Sequence, residues 1–490
     1  VSAPYLDYAA LAPEIVLTGV IVLVMVADLI FEDRSRWRTS TLAGLGTLGS
    51  LIPVLWLAAN GHDRSMFGGA YMVDNYALLL KAFFLVVAYV TILVSADYIE
   101  AGDFYRGEYY FLLLSATLGM TVMASARDLV SIFVALETIS LPTFLLAGWR
   151  KHDSKSNEAA LKYFLFGVLS SAVMLYGMSL IYGLTGTTLL SRIGSHLIAS
   201  SGAKPLLFTA IFLTLVGFAF KVSAVPFHFW APDTYEGSPT PVTAFLSVAS
   251  KAGGFVALIN IIYFGFFNRS DAWQPIIWAL AAASMTIGNL IAIRQTNIVR
   301  MLAYSSIAQS GFMLVPFAVV GDNPAARTSA FEATIIYLLI YAAMNLGAFA
   351  VVIAVARKTR SGEISSYAGM FSYAPGLTVL MSAFLFSLAG IFPFGGWFAK
   401  FVMFRAVIDA GTPSAVILGI IAGVNAVIAL FYYAAIAAQM WFKPGPEDSS
   451  PVRMPVALGT GLGLSALVVV AVGVYPQLFA RLGELATLTK

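Results

Sequence analysis

The chain has 490 residues, of which 59% are hydrophobic and only 11% charged, with a mean hydropathy of +0.85. Soluble domains carry about a quarter charged residues, so this composition excludes an ordinary soluble core. The net charge is +3 with the basic residues dispersed, which argues against a nucleic-acid partner, and the absence of cysteine excludes thiolate-ligated iron–sulfur clusters, disulfides and thiol catalysis within the chain.

The N-terminal stretch VSAPYLDYAALAPEIVL has no basic run ahead of its apolar residues, so it reads as the first spanning helix and not as a cleavable leader. A hydrocarbon core of about 30 Å asks for about 20 apolar residues per helix. On that measure the sequence predicts an all-α polytopic membrane protein of about fourteen spans, a single membrane domain over residues 1–490. The first four run Leu11 to Phe31, Thr39 to Ala59, Asn75 to Ala96 and Tyr109 to Ala126. The next four run Leu129 to Trp149, Ala159 to Leu184, Pro205 to Trp230 and Thr240 to Phe267. Spans nine to eleven run Trp273 to Ile293, Ile298 to Val320 and Ser329 to Ala356. The last three run Pro375 to Ile408, Thr412 to Trp441 and Met454 to Phe479.

Lys and Arg number 14 in the odd-numbered loops (Arg34, Arg36, Arg38 and Arg106 among them) and 6 in the even-numbered loops, Lys204 included. Positive charge favours the cytoplasmic side, so an even span count would put both termini on the opposite, periplasmic side.

Two spans are long yet interrupted. The seventh, LTLVGFAFKVSAVPFHFW, carries Pro226, and the twelfth, FLFSLAGIFPFGGWFAKFVMF, carries Pro393, Gly395 and Gly396. Proline removes a backbone donor and clashes with the preceding turn, so both helices are expected to break. Broken helices in corresponding places point to a transport site between internal repeats. Leu129 to Ile298 and Thr240 to Thr412 are both about 170 residues apart, which predicts two five-helix repeats, 109–267 and 273–441. Five is odd, so the second copy inserts upside down relative to the first.

Four charged residues fall mid-span: Glu137, Lys221, Lys251 and Lys400. Each costs about 2.5 to 3.5 kcal/mol at the bilayer centre, and three lysines cannot all be neutralised by one carboxylate, which favours proton carriage over structural ion pairing. A lysine carries a proton only if its affinity moves toward neutral pH from about 10.4; burial lowers it and a nearby carboxylate raises it. A carboxylate about 4 Å away is worth about 4 kcal/mol at an effective dielectric of about 20, or roughly three pKa units, so one ion pair would load or unload a lysine. The expected order is Glu137 modulating Lys221, Lys251 accepting the proton, and Lys400 exchanging it with the far side. His228, two residues beyond Pro226, is placed for a relay between Lys221 and Lys251 or for a structural role among aromatics. Lys81, Lys162, Glu14, Glu332, Asp28, Arg405 and Asp409 lie nearer span ends, where snorkelling accounts for them. Asp233 and Glu236 read as loop and capping residues that could collect protons at an exit. No phosphate-binding glycine loop, metal-ligand cluster or nucleophile triad is visible, so no bound cofactor or metal is implied.

At these positions, in VALETISLPTFLLAGW, FKVSAVPFHFWAPDTYEGSPTPVTAFLSVASKAGG and GIFPFGGWFAKFVMF, the sequence resembles the antiporter-like membrane subunits of respiratory complex I, NADH:quinone oxidoreductase. Within that family it looks most like the subunit N type, counterpart of mitochondrial subunit 2. The resemblance implies that Glu137, Lys221, Lys251 and Lys400 are the proton-translocating residues. It also implies that FMN, iron–sulfur clusters and quinone belong to partner subunits, membrane and peripheral, and that the chain sits in a bacterial inner membrane. The break FPFGG departs from the Pro-Pro version of many relatives. A Na+/H+ antiporter subunit or a hydrogenase-linked pump of the same fold is the alternative. Sodium would favour several oxygen ligands, against the single mid-span carboxylate seen here. A purely structural membrane anchor is the reading from a different class.

Overall fold

The computed structural model describes residues 6–30, 37–61, 63–102, 107–199, 204–320, 324–446, 448 and 450–486. Phe31, Arg34, Arg36 and Arg106 of the sequence reading lie outside the described residues, as does the side chain of Lys204. Among the described residues, ten helices are long and apolar enough to cross a membrane, and Pro205–Lys221 and Pro375–Ala389 are shorter apolar helices.

In chain order, α1 (Ala12–Ile30) and α2 (Trp37–Asn60) lead into a small antiparallel hairpin, β1 (Arg64–Met66) and β2 (Tyr71–Val73). Then come α3 (Asn75–Glu100), α4 (Glu108–Ser125), α5 (Leu129–Ala147), α6 (Ser154–Thr185) and the short α7 (Leu190–Ala199). Next are α8 (Lys204–Lys221), α9 (Trp230–Gly237), α10 (Thr240–Phe245), α11 (Lys251–Ile259), α12 (Ser270–Ala292) and α13 (Ile298–Ala318). The remainder is α14 (Pro324–Thr359), α15 (Pro375–Ala389), α16 (Gly396–Ala410), α17 (Pro413–Phe442), α18 (Val456–Val474) and α19 (Gln477–Leu485).

Helix starts follow local chemistry. Asp74, Asp128, Asp153, Asn297 and Thr412 each accept backbone N–H bonds at the first turns of α3, α5, α6, α13 and α17. Such caps satisfy donors that have no partner inside the helix and none to find in hydrocarbon. The long α14 is buried through its middle from Ala333 to Val355 and packs on α3, α13, α15, α16 and α18, as expected of a helix apolar on all sides. The outer helices α6 and α17 instead expose Leu161, Leu165, Leu169, Ile420, Val427 and Phe431, the apolar surface a membrane covers.

Two backbone clasps recur along the chain. Leu129 N–H donates to the Thr188 carbonyl (3.0 Å) and Leu190 N–H to the Arg127 carbonyl (3.0 Å). Likewise Ile298 N–H donates to Gly362 (2.8 Å) and Ile364 N–H to Thr296 (2.7 Å). Each clasp ties the start of a helix (α5, α13) to the loop after the next one.

Both breaks are present, with differences from the sequence reading. The first begins directly after Lys221, ahead of Pro226, and α9 resumes at Trp230. Ser223 there has φ 58° and Val225 N–H donates to Ser284 Oγ of α12 at 2.9 Å. The second occupies residues 390–395; Gly390 has φ 91°, Gly395 N–H donates to the Val469 carbonyl of α18 at 2.8 Å, and Gly396 N–H to Ser387 Oγ at 2.9 Å. A Cβ at Gly396 would strike the Ser387 carbonyl, so glycine is what lets the two half-helices approach. The expected continuous span Thr240 to Phe267 is instead punctuated by π-helical turns at Leu246–Ser250 and Asn260–Phe266, on either side of α11. The hairpin and the amphipathic α7 and α19 had no counterpart in the sequence reading.

Candidate functional site

Lys221 is the last residue of α8 and is 2% exposed. Its Nζ donates to Ser140 Oγ of α5 at 2.9 Å and to the Tyr163 hydroxyl of α6 at 3.4 Å. Tyr163 is held by stacking on Trp230 at 4.4 Å between ring centroids, and the indole N–H of Trp230 donates to the Phe220 carbonyl at 3.1 Å. The second half-helix thus braces the end of the first. The stem of Lys221 lies against Gly254 of α11, where a Cβ would stand 2.9 Å from Lys221 Cγ.

Glu137 sits one turn before Ser140 on α5, half-buried, and its Oε1 accepts a 2.6 Å bond from Ser171 of α6. Among the described residues Glu137 makes no ion pair with Lys221, whose ammonium bonds Ser140 and Tyr163 instead. The proposed modulator is therefore next to the lysine's partner and bonded elsewhere.

Lys251, 1% exposed, opens α11 directly after the first π turn and donates to both the carbonyl and Oγ of Ser306 on α13, each at 2.9 Å. π turns displace side chains from the α-helical register and gather at functional sites. Lys400, 6% exposed on α16, reaches back across the break to the Ala389 carbonyl (2.6 Å), with Nζ 4.6 Å from the centroid of the Phe312 ring. Ala389 ends α15, so Lys221 and Lys400 both stand at the C-terminal ends of first half-helices, where the dipole favours a cation. His228 lies in the first break, 7% exposed, its ring 4.8 Å from that of Phe229. Among the described residues it makes no hydrogen bond to Lys221 or Lys251.

The neutral partners were not legible as site residues. Besides Ser140, Tyr163 and Ser306, the structure adds Gln309, whose Nε2 donates to the Leu388 carbonyl at 2.9 Å and whose Oε1 accepts from Tyr337 at 2.7 Å. Serine, tyrosine and glutamine occur in many spans for packing alone; the available signal was their register. Ser306 stands as far beyond the cap Asn297 as Glu137 does beyond Asp128, and Gln309 answers to Ser140 in the same way.

Several residues assigned to snorkelling also have ion partners, and one of them, Lys81, does not snorkel. Lys81 is fully buried on α3 and pairs with Glu14 of α1 at 2.9 Å, with its Nζ also 3.0 Å from the Tyr71 hydroxyl. Snorkelling fails there because α1 covers the lysine with the Glu14 carboxylate of its first turn. Lys162 stays partly exposed but bonds Asp233 at 2.7 Å and Glu158 at 2.7 Å. Arg300 joins that cluster through Asp233 (2.7 Å) and Glu236 (3.0 Å), both of which lie on α9 and not in a loop. Arg405 and Asp409 pair with each other at 3.6 Å along α16. Among the described residues no group of three or more His, Cys, Asp or Glu could hold a metal ion.

Residues 126–425 match the family model described as NADH:quinone oxidoreductase/Mrp antiporter, transmembrane. The chain is 38% identical over 480 residues to an NADH-quinone oxidoreductase subunit N of Trichlorobacter lovleyi, covering 97% of this chain and 96% of that one. It is 40% identical over 489 residues to the NADH-quinone oxidoreductase subunit N 2 of Rhizobium meliloti, covering 99% and 98%. Among solved structures, a chain of respiratory complex I from Thermus thermophilus with bound aureothin is 29% identical with a TM-score of 0.77, covering 96% of this chain and 98% of that chain. By the extent of the family match and of these relatives, the chain belongs to the membrane subunits of the NADH:quinone oxidoreductase/Mrp antiporter family.

Proposed function

We propose that this chain is the subunit N-type proton-translocating membrane subunit of a bacterial NADH:quinone oxidoreductase. Protons pass along Glu137, Lys221, Lys251 and Lys400 while quinone is reduced elsewhere in the complex. The observation that carries the reading is that Lys221, Lys251 and Lys400 are each at least nine-tenths buried yet, among the described residues, bond only neutral oxygens. A lysine kept only to knit helices together would be matched to a carboxylate, as Lys81 is to Glu14. Each of these three can release its proton without leaving a buried carboxylate unpaired.

Setting aside the short α7 and α19 and taking α8 with α9, α10 with α11, and α15 with α16 as single crossings gives fourteen spans, a chain that enters and leaves on the same side. The paired clasps and the two breaks support inverted repeats over 109–267 and 273–441. The charge bias of the loops puts both termini on the periplasmic side of the inner membrane. FMN, iron–sulfur clusters and quinone then belong to the other membrane and peripheral subunits.

The direct test is Lys221→Ala in the whole complex. Proton translocation is expected to fall while the subunits still co-purify; undiminished translocation would rule the path out. Flavin and iron–sulfur absorbance is expected to travel with the chain on purification, and a preparation without either would favour the Na+/H+ antiporter alternative.

A further inference from the structure

Between Lys251 and Lys400 lies a buried polar link that no charged residue marks. Ser306, which receives Lys251, and Gln309 are three apart on α13 and so share a face. The Gln309 amide is 1% exposed and bonded through both its nitrogen and its oxygen: it donates to Leu388, the residue before the Ala389 carbonyl that Lys400 grips, and accepts from Tyr337 of α14. Gln309 therefore touches both ends of the gap, Lys251 through one helical turn and Lys400 through one peptide unit.

The same arrangement surrounds Lys221. Ser140 stands twelve residues beyond the cap Asp128, as Gln309 does beyond Asn297. Tyr163 stands 26 residues before the clasp residue Leu189, as Tyr337 does before Glu363. In the first case the pair holds a lysine at the end of α8; in the second it holds the backbone at the end of α15.

We propose that Gln309, braced by Tyr337, is a positioning residue for proton transfer between Lys251 and Lys400, the neutral counterpart of Ser140 and Tyr163 at Lys221. The amide neither gains nor loses a proton. It fixes the end of α15 so that the Ala389 carbonyl faces Lys400 while Ser306 faces Lys251. The titratable groups around this link include Tyr337 and Tyr341 on α14, Tyr433 on α17, Lys400 on α16 and Lys251 on α11. This inference rests on the proton path proposed above.

The test compares Gln309→Leu and Gln309→Glu in the intact complex reconstituted into vesicles, reading proton translocation against pH. Gln309→Leu is expected to slow translocation about tenfold, through loss of both amide bonds that hold the end of α15 in place. Gln309→Glu keeps the shape and can still accept from Tyr337. Its carboxylate, once ionised, would hold protons on the adjacent lysines, so translocation is expected to recover as pH falls and the acid becomes neutral. A wild-type rate in Gln309→Leu would overturn the proposal, as would Gln309→Glu being equally slow at every pH, which would reduce Gln309 to packing. Lys251→Ala and Lys400→Ala run alongside: if they lose translocation while both Gln309 variants keep it, only this inference fails, and if they also keep it the proton path itself is wrong.

Discussion

Burial without a counter-charge separates Lys221, Lys251 and Lys400 from the other described lysines. Lys81 is the internal contrast, equally buried but paired with Glu14. Lys81→Met would leave that carboxylate alone in the interior, and breaking a buried pair costs about 3–5 kcal/mol. Thermal unfolding of the detergent-solubilised complex should show a clear loss of stability, with Lys81→Met combined with Glu14→Leu recovering most of it. Glu137→Gln is expected to assemble normally and to lower the number of protons moved per quinone; an unchanged stoichiometry would remove Glu137 from the path. The charged residues of the site were legible because an ionisable group mid-span is costly and must have a reason. Ser306, Gln309 and Tyr337 were not, since a hydroxyl or amide can satisfy itself on a nearby carbonyl at little cost, as Ser310 does on Ser306.

At the scale of elements, proline and glycine announced both breaks, and the structure explains why their edges differ from the sequence reading. The first half-helix ends at Lys221 because the chain turns through a positive φ at Ser223, three residues ahead of Pro226. A serine there gives no warning, whereas the equivalent turn at Gly390 uses the residue that adopts such a φ freely. The π turns around α11 were equally silent, because one extra residue in a helical turn leaves an apolar sequence apolar. Gly396 gives the sharpest test at this scale. Gly396→Val must push the Ser387 carbonyl away and misplace the end of α15, so Lys400 should lose its Ala389 partner. Translocation should fall with little loss of assembled complex; a fully active Gly396→Val would mean that the close approach of α15 and α16 is dispensable.

For the molecule as a whole, the membrane class follows from composition, and the two clasps at α5 and α13 lie at the same roughly 170-residue offset that the sequence shows between Leu129 and Ile298. The long-range pairings were beyond reach of the sequence, since Arg300 meeting Asp233 and Lys251 meeting Ser306 depend on how helices far apart in the chain pack together. Lys251 thus lies between the first broken helix and α13, its ammonium on Ser306 and its helix against Lys221 through Gly254. A proton crossing there without a basic side chain meets a charge-burial barrier of about 2.5 to 3.5 kcal/mol, which corresponds to roughly a 100-fold slowing. The decisive measurement is the number of protons released per quinone reduced by the reconstituted complex carrying Lys251→Ala, with subunit content matched to wild type. A stoichiometry reduced by the share this subunit moves is the expected result; the wild-type value would contradict a path through Lys251.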